Sequence, residues 1–340
     1  MASKTRTAAK WLAACVALLL LAAAIALASA WWWLQRPLTL SAAAVELSIE
    51  PGTTPREVAQ GWVAAGVRTS PQLLYQWFRW SGQARRIRAG SYQIGSGTTP
   101  RQLLDKMVQG DETLERLRLA EGWTWRQVRS ALAAAPNLKP ATQGMTEAEL
   151  MHALGDAGTS VEGRLFPDTY LYSRGVSDLT VLKRAHAAMR RQLDAAWAQR
   201  GADSPLRSAD QALILASIVE KESGPKDDAA MIATVFLNRL RLGMPLQSDP
   251  TVIYGLGEAF DGNLRKRDLQ ADAAFNTYTR AGLPPTPIGL PSAASLQAVV
   301  KPRPGKALYF VARGDGSSAF SDTLAEHNRA VNTYQRKAQP

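Results

Sequence analysis

Residues 11–35, WLAACVALLLLAAAIALASAWWWLQ, contain no charged side chain, and nothing else in the chain restricts its architecture so strongly. A helix of that length crosses the hydrocarbon core of a bilayer. Trp11 stands at one end and Trp31, Trp32 and Trp33 at the other, as interfacial aromatic belts do. Lys4, Arg6 and Lys10 precede the run, and only Arg36 follows closely. The positive-inside rule therefore predicts a cytoplasmic tail over 1–10, a transmembrane anchor over 11–35, and translocation of the roughly 300 residues beyond. Ala28-Ser29-Ala30 has the form of a signal-peptidase site, but the apolar run exceeds a usual h-region and the Trp cluster follows at once. Leu12-Ala13-Ala14-Cys15 spells a lipoprotein-type box without the apolar region that should precede its cysteine. The segment is therefore read as an uncleaved anchor, with Cys15 as a small apolar residue of the span.

A chain of 340 residues has room for such an anchor and two domains. Its net charge of +11 favours a polyanionic neighbour: nucleic acid, phospholipid or an anionic wall polymer. The basic knots at Arg85-Arg86, Arg190-Arg191 and Arg265-Lys266-Arg267 carry no nucleic-acid module signature and read as solvated surface, so no nucleic acid is expected. His152, His186 and His327 lie far apart and Cys15 is alone, which leaves no zinc cluster or disulfide framework; no metal or cofactor is expected.

After a tether at 36–44, an internal repeat appears. IEPGTTPR at 49–56 recurs as IGSGTTPR at 94–101, with a weaker copy, EGWTWR, at 121–126. Each copy joins a short strand (Val45–Ile49, Ser91–Ile94, Glu115–Leu119) through a Gly turn to a helix. Thr54, Thr99 and Thr124 stand as N-caps with Glu57, Gln102 and Gln127 three residues on, completing capping boxes. Pro55 and Pro100 take the first helical position. The spacing predicts helices over 55–65, 71–81, 100–109 and 125–134. Two strands with intervening helices over 45–112 suggest a LysM-like α+β module. Trp62 and Trp77, at helical spacing, read as core.

The segment ALILASIVEKESG at 212–224 carries the chemistry. Ser208 and Gln211 suggest a capping box, and Gly224-Pro225 a stop, so the helix starts near Ala209. Leu213, Ile214, Leu215, Ile218 and Val219 cover every face, which marks a buried helix. Desolvation and the negative helix end both push a carboxyl there toward its protonated form, as a general acid at neutral pH requires. Glu220 is read as that acid. It shares a side with Leu213, Ala216 and Ser217, whose small members leave room for a ligand. Glu222, about 200° further round, is excluded from the same site.

Helices are also predicted over 147–154, 178–201, 227–242 and 293–300, with a strand at Leu308–Ala312; His186 reads as a surface or packing residue. Asn238 on an apolar line is either a structural clamp or a ligand contact. The Gly- and Pro-rich region 243–292 reads as rigid polar loops, where sites sit. It supplies Gln247, Ser248, Asp249, Tyr254, Asn276 and Tyr278; Asp249, before Pro250, reads as a turn.

Several of these stretches, ASIVEKES at 216–223, VFLNRL at 235–240, LQSDPTVIYGLG at 246–257, NTYTRAGLPPTPIGLP at 276–291, YFVARGDGSSAFSDTLAEHN at 309–328 and LFPDTY at 165–170, closely resemble the YceG-like family of endolytic murein transglycosylases. The resemblance implies an α+β protein with a transmembrane helix, a LysM-like module and a mixed α+β catalytic domain over 113–340. It implies a single-pass bacterial inner-membrane enzyme with its catalytic domain in the periplasm. That enzyme cuts peptidoglycan glycan strands internally between N-acetylmuramic acid and N-acetylglucosamine and leaves 1,6-anhydromuramyl ends. The matching catalytic residue is taken as Glu220. Asn238, Gln247, Ser248, Asp249, Asn276 and Tyr278 are expected to position substrate, with Tyr254 stacking on a ring or packing. Expected partners are peptidoglycan strands and the membrane, and the resemblance admits peptidoglycan synthases. Two other functions fit the same residues: a glycan hydrolase using Glu220 and Asp249, and a non-catalytic wall-binding tether.

Overall fold

The computed structural model describes residues 2–224 and 228–336. Pro225, the expected helix stop, lies outside them, as does the first residue of the helix expected over 227–242. The chain divides into two compact units: one holds the residues up to Glu115 plus Ser173–Gly175, the other Arg116–Tyr172 and everything from Val176.

In the first unit, α1 (Ala2–Gln35) contains an apolar stretch, Cys15–Gln35, long enough to cross a membrane. Leu18 to Leu21, Ile25 and Leu27 are all exposed, whereas Trp33, near the end of the helix, packs against the core of this unit. The Arg36 guanidinium lies 3.5 Å from the centre of the Trp32 ring. Then come β1 (Ala44–Ile49), α2 (Pro55–Ala65), α3 (Pro71–Trp80), β2 (Gly90–Gly95) and α4 (Pro100–Gln109). β1 and β2 pair antiparallel, with Val45 opposite Ile94 and Leu47 opposite Tyr92. Thr54 with Glu57 and Thr99 with Gln102 form the reciprocal boxes their spacing predicts. Trp62 is wholly buried, with its indole nitrogen against the Met107 sulfur, and Trp77 donates to the Pro100 carbonyl. Trp62 is core, as expected, and Trp77, half-buried, packs against that core. Residues 38–41 do more than tether. Leu38 is buried and donates to the Thr98 carbonyl, Arg68 donates to Thr39, and Ser41 donates to Gly66.

The second unit carries the site. β3 (Leu114–Arg118) pairs with β4 (Thr169–Ser173), the two belonging to this unit except for Leu114, Glu115 and Ser173, and between them come α5 (Trp125–Ala134) and α6 (Glu147–Leu154). Then follow α7 (Asp178–Trp197), α8 (Ala209–Glu222), α9 (Ala229–Arg241), α10 (Asp249–Leu256), α11 (Lys266–Gln270) and α12 (Ala293–Val300). A final hairpin pairs β5 (Tyr309–Ala312) with β6 (Ser318–Ser321) and leads into α13 (Leu324–Val331). α8 is central: Leu213, Leu215, Ala216, Ile218 and Val219 are buried in a core shared with α9 and α12. His186 packs as expected, buried, with Nε2 3.1 Å from Asp156 Oδ2. α10 departs from expectation. Ser248 is its N-cap and Asp249-Pro250 its first turn, so Asp-Pro here opens a helix. α7 stops at Trp197, short of the expected 201.

Candidate active site

α8 starts where Ser208 caps it. The Ser208 hydroxyl accepts from Gln211 N at 3.2 Å, while the Gln211 side chain accepts from Arg207 N, so the box is half formed. Three consecutive residues at the far end of α8 then fan out in three directions.

Glu220 turns toward α12. Its Oε2 accepts from Ser292 N (2.9 Å), Ser292 Oγ (2.6 Å) and Ser295 Oγ (2.7 Å). Three donors converging on one oxygen at a helix start make this carboxylate a cap for α12. Glu220 itself is half-buried, and part of the face it shares with Ser217 is occupied by backbone. Ile288 N donates to Ser217 Oγ at 3.0 Å, and the segment leading to Ser292 lies along that face.

Glu222 turns the other way, toward the residues expected to form the site. Its Oε1 accepts from Ser248 Oγ at 2.6 Å, and its Oε2 accepts nothing from a described residue. Glu222 keeps partial solvent access, yet its surroundings are dense enough that desolvation pushes its carboxyl up to about 7. The Ser248 bond opposes this shift and the nearby charge of Asp249 adds to it. Ser248 is itself fixed: its N–H donates to Thr277 Oγ1 (3.0 Å), and its carbonyl accepts from Thr251 Oγ1. Asp249 Oδ1 accepts from the Tyr278 hydroxyl at 2.6 Å. Burial first, then that bond, raises the Tyr278 phenol above its ordinary value.

Ser248, Asp249 and Tyr278 thus gather round Glu222, with Gln247 next to Ser248 in the chain, while three other expected residues have structural duties. Asn238 Nδ2 donates to the carbonyls of Gly305 (3.1 Å) and Ala307 (3.0 Å), and Oδ1 accepts from Arg241, so Asn238 is a clamp. Asn276, buried, donates to the carbonyls of Asp268, Leu269 and Ala271 and accepts from Tyr278 N. Its amide is fully used in holding α11 and Tyr278. Tyr254 packs edge-on against Phe275 and donates to Glu162 Oε2 at 3.0 Å.

Sequence reasoning missed Arg239. It is buried, donates to the carbonyls of Leu308, Pro245 and Leu246, and reaches Gln247 Oε1 at 3.1 Å. It thereby holds the loop before Ser248, where Gln247 sits at φ 54°, a conformation uncommon outside glycine. An Arg in the last turn of a helix reads as a dipole partner, which hides such a role. Glu162 was also missed. Buried, it accepts from Trp125 N with both oxygens, and desolvation raises its pKa.

Fold and site together define an α+β protein with an apolar N-terminal helix and one near-neutral carboxyl, hydroxyl-supported and open on one oxygen, suited to acid–base chemistry. The chain belongs to the YceG-like family, whose model matches residues 47–333. It is 28% identical to an endolytic murein transglycosylase of Bacillus subtilis over 86% of each chain. It is 25% identical to one of Streptococcus pneumoniae, over 84% of this chain and 58% of that one. The crystal structure of a YceG-like protein from Listeria monocytogenes superposes with a TM-score of 0.54 at 27% identity, over 84% of this chain and 98% of that one.

Proposed function

We propose that this chain is a membrane-anchored endolytic murein transglycosylase that uses Glu222, in place of the expected Glu220, as its single acid and base. The placement of Glu222 carries this reading, one oxygen held by the Ser248 hydroxyl at 2.6 Å beside Asp249 and Tyr278, together with burial that raises its pKa, family membership and the names of the relatives. Near neutral pH the carboxyl is available in both forms. Protonated, Glu222 donates to the glycosidic oxygen as the bond from C1 of N-acetylmuramic acid breaks. As carboxylate it takes the proton of that sugar's 6-hydroxyl while O6 closes on C1. The 1,6-anhydro ring forms, no water is consumed, and Glu222 ends protonated. One carboxyl suffices because the nucleophile is already tethered beside the reacting carbon. An enzyme that delivers water needs a second carboxylate, and the one beside Glu222, on Asp249, is bonded to Tyr278. Ser248 aims Glu222, and Gln247, Asp249 and Tyr278 stand ready to orient acetamido and hydroxyl groups.

Lys4, Arg6 and Lys10, at the start of α1 and ahead of its apolar stretch, support a cytoplasmic N-terminus, an inner-membrane anchor and a periplasmic catalytic unit. The small module, with its two strands and intervening helices, stands as a LysM-like glycan-binding element, and peptidoglycan synthases as partners. Mass spectrometry of muropeptides released from peptidoglycan by the detergent-solubilised protein tests the reaction: anhydro ends are expected, and reducing ends would assign a hydrolase.

A further inference from the structure

α3, in the first unit, carries two apolar stripes. Leu74 and Phe78 are wholly buried and belong to the core of that unit. Leu73, Trp77 and Trp80 recur at helical spacing on the adjoining face. Trp77 is half-buried, but Leu73 is 44% exposed and Trp80 is 75% exposed. Arg79 stands next to Trp80 and is exposed. Just beyond the helix, Ala84 and Ile87 pack inward on the core, which leaves Arg85 and Arg86 facing out. None of these three guanidinium groups makes a hydrogen bond or ion pair with a described residue. Between Glu57 and Asp105 the chain has no acidic residue. Glu57, on the neighbouring α2, accepts from Thr54 N and Oγ1; Asp105 faces Arg101 at 4.0 Å, and Asp111 pairs with Lys106 at 2.8 Å. The patch therefore keeps its positive charge. It also lies close to the end of α1. α1 packs on α4, and Trp33 packs against the same core. Leu38 N donates to the Thr98 carbonyl, and Trp77 Nε1 donates to the carbonyl of Pro100, the first residue of α4. Trp77 thus ties the outer stripe of α3 to the segment that receives the end of α1.

We propose that this face of α3 docks on the anionic phospholipid surface of the membrane that α1 crosses, with Trp80 among the headgroups and Arg79, Arg85 and Arg86 on phosphates. The inference rests on the anchor reading above and adds a second contact with the same bilayer. Tryptophan suits that level because its ring is apolar and its N–H polar. Guanidinium groups pair with phosphate oxygens, and each contributes about fivefold to the contact equilibrium beside an anionic surface. A polar groove in the same unit, walled by β2 and α4 and lined by Gln93, Gln102 and Lys106, does not include Trp80. A glycan held there and a bilayer against α3 do not compete for that ring.

The test uses the full-length protein in nanodiscs of phosphatidylcholine, alone or mixed with phosphatidylglycerol. Gln76→Cys, in a Cys15→Ala background, carries an environment-sensitive fluorophore one turn from Trp80, and doxyl-labelled phosphatidylcholine is the quencher. Blue-shifted emission and quenching are expected in the mixed discs, and both are expected to fall in phosphatidylcholine alone and in high salt. Arg86→Gln is expected to lower the docked-to-free ratio in the mixed discs about fivefold, and Trp80→Ser to remove the quenching. Trp80 and Arg86 are exposed, so their variants fold. A label left unquenched in the mixed discs, or quenching undiminished by Trp80→Ser, would overturn the proposal. A label that responds to soluble glycan fragments in detergent and not to lipid would overturn it too, and would assign this face to glycan. Failure of the wild type to assemble into discs would remove the anchor reading and the proposal together.

Discussion

Glu220 and Glu222 are chemically identical and two residues apart, and their surroundings give them different work. Three hydroxyl and amide donors at the start of α12 surround one; a single hydroxyl holds the other, which is half-buried beside Asp249. A carboxyl raised from 4.5 to about 7 couples folding to pH. Below about pH 4.5 both states hold the proton. Between there and about 7 the unfolded chain gives it up while the folded chain keeps it, so stability falls as pH rises. Glu222→Gln removes that loss. Its thermal midpoint is expected to exceed that of the wild type above pH 7, by up to about 3 kcal/mol in stability, and to converge with it near pH 4. Equal stabilities at pH 8 would show Glu222 to be ordinary. Ser248 donates to Glu222 and so lowers its pKa; Ser248→Ala is expected to move the alkaline limb of kcat/KM to higher pH. The sequence located both glutamates on a buried helix and placed them on different sides. It offered no way to choose between them, because the deciding donors lie 72 residues away for Glu220 and 26 for Glu222.

Elements whose signals are local were legible. The Thr54 and Thr99 boxes, the limits of α2, α5, α6 and α12, and the start of α8 all follow from residues within one turn. α10 was missed because Ser248-Asp249-Pro250 serves a turn and a helix start equally well, and the choice depends on the Thr277 and Thr251 hydroxyls. Close approach between segments was also invisible. Gly122 and Trp123 pair with Leu290 through two backbone hydrogen bonds. A Cβ on Gly289 would stand 2.7 Å from the Gly122 carbonyl oxygen and 3.3 Å from Lys221 Cε. Gly289→Ala is therefore expected to cost about 1–3 kcal/mol by denaturant unfolding, through forced separation of these segments. A neutral result would mean that the segments part freely.

At the scale of the whole molecule, an exposed apolar helix precedes the small module, and a separate unit carries the chemistry. The uncleaved-anchor reading predicts that the mature protein keeps its N-terminus and stays in the membrane pellet after carbonate extraction; intact-mass measurement showing a chain that begins near Trp31 would contradict it. The central claim concerns which glutamate cuts the glycan. Glu220→Gln and Glu222→Gln, both folded by circular dichroism, should be compared on the same peptidoglycan by mass spectrometry of released 1,6-anhydro muropeptides. The account predicts no anhydro product from Glu222→Gln and retained product from Glu220→Gln. Anhydro product from Glu222→Gln, with none from Glu220→Gln, would contradict it.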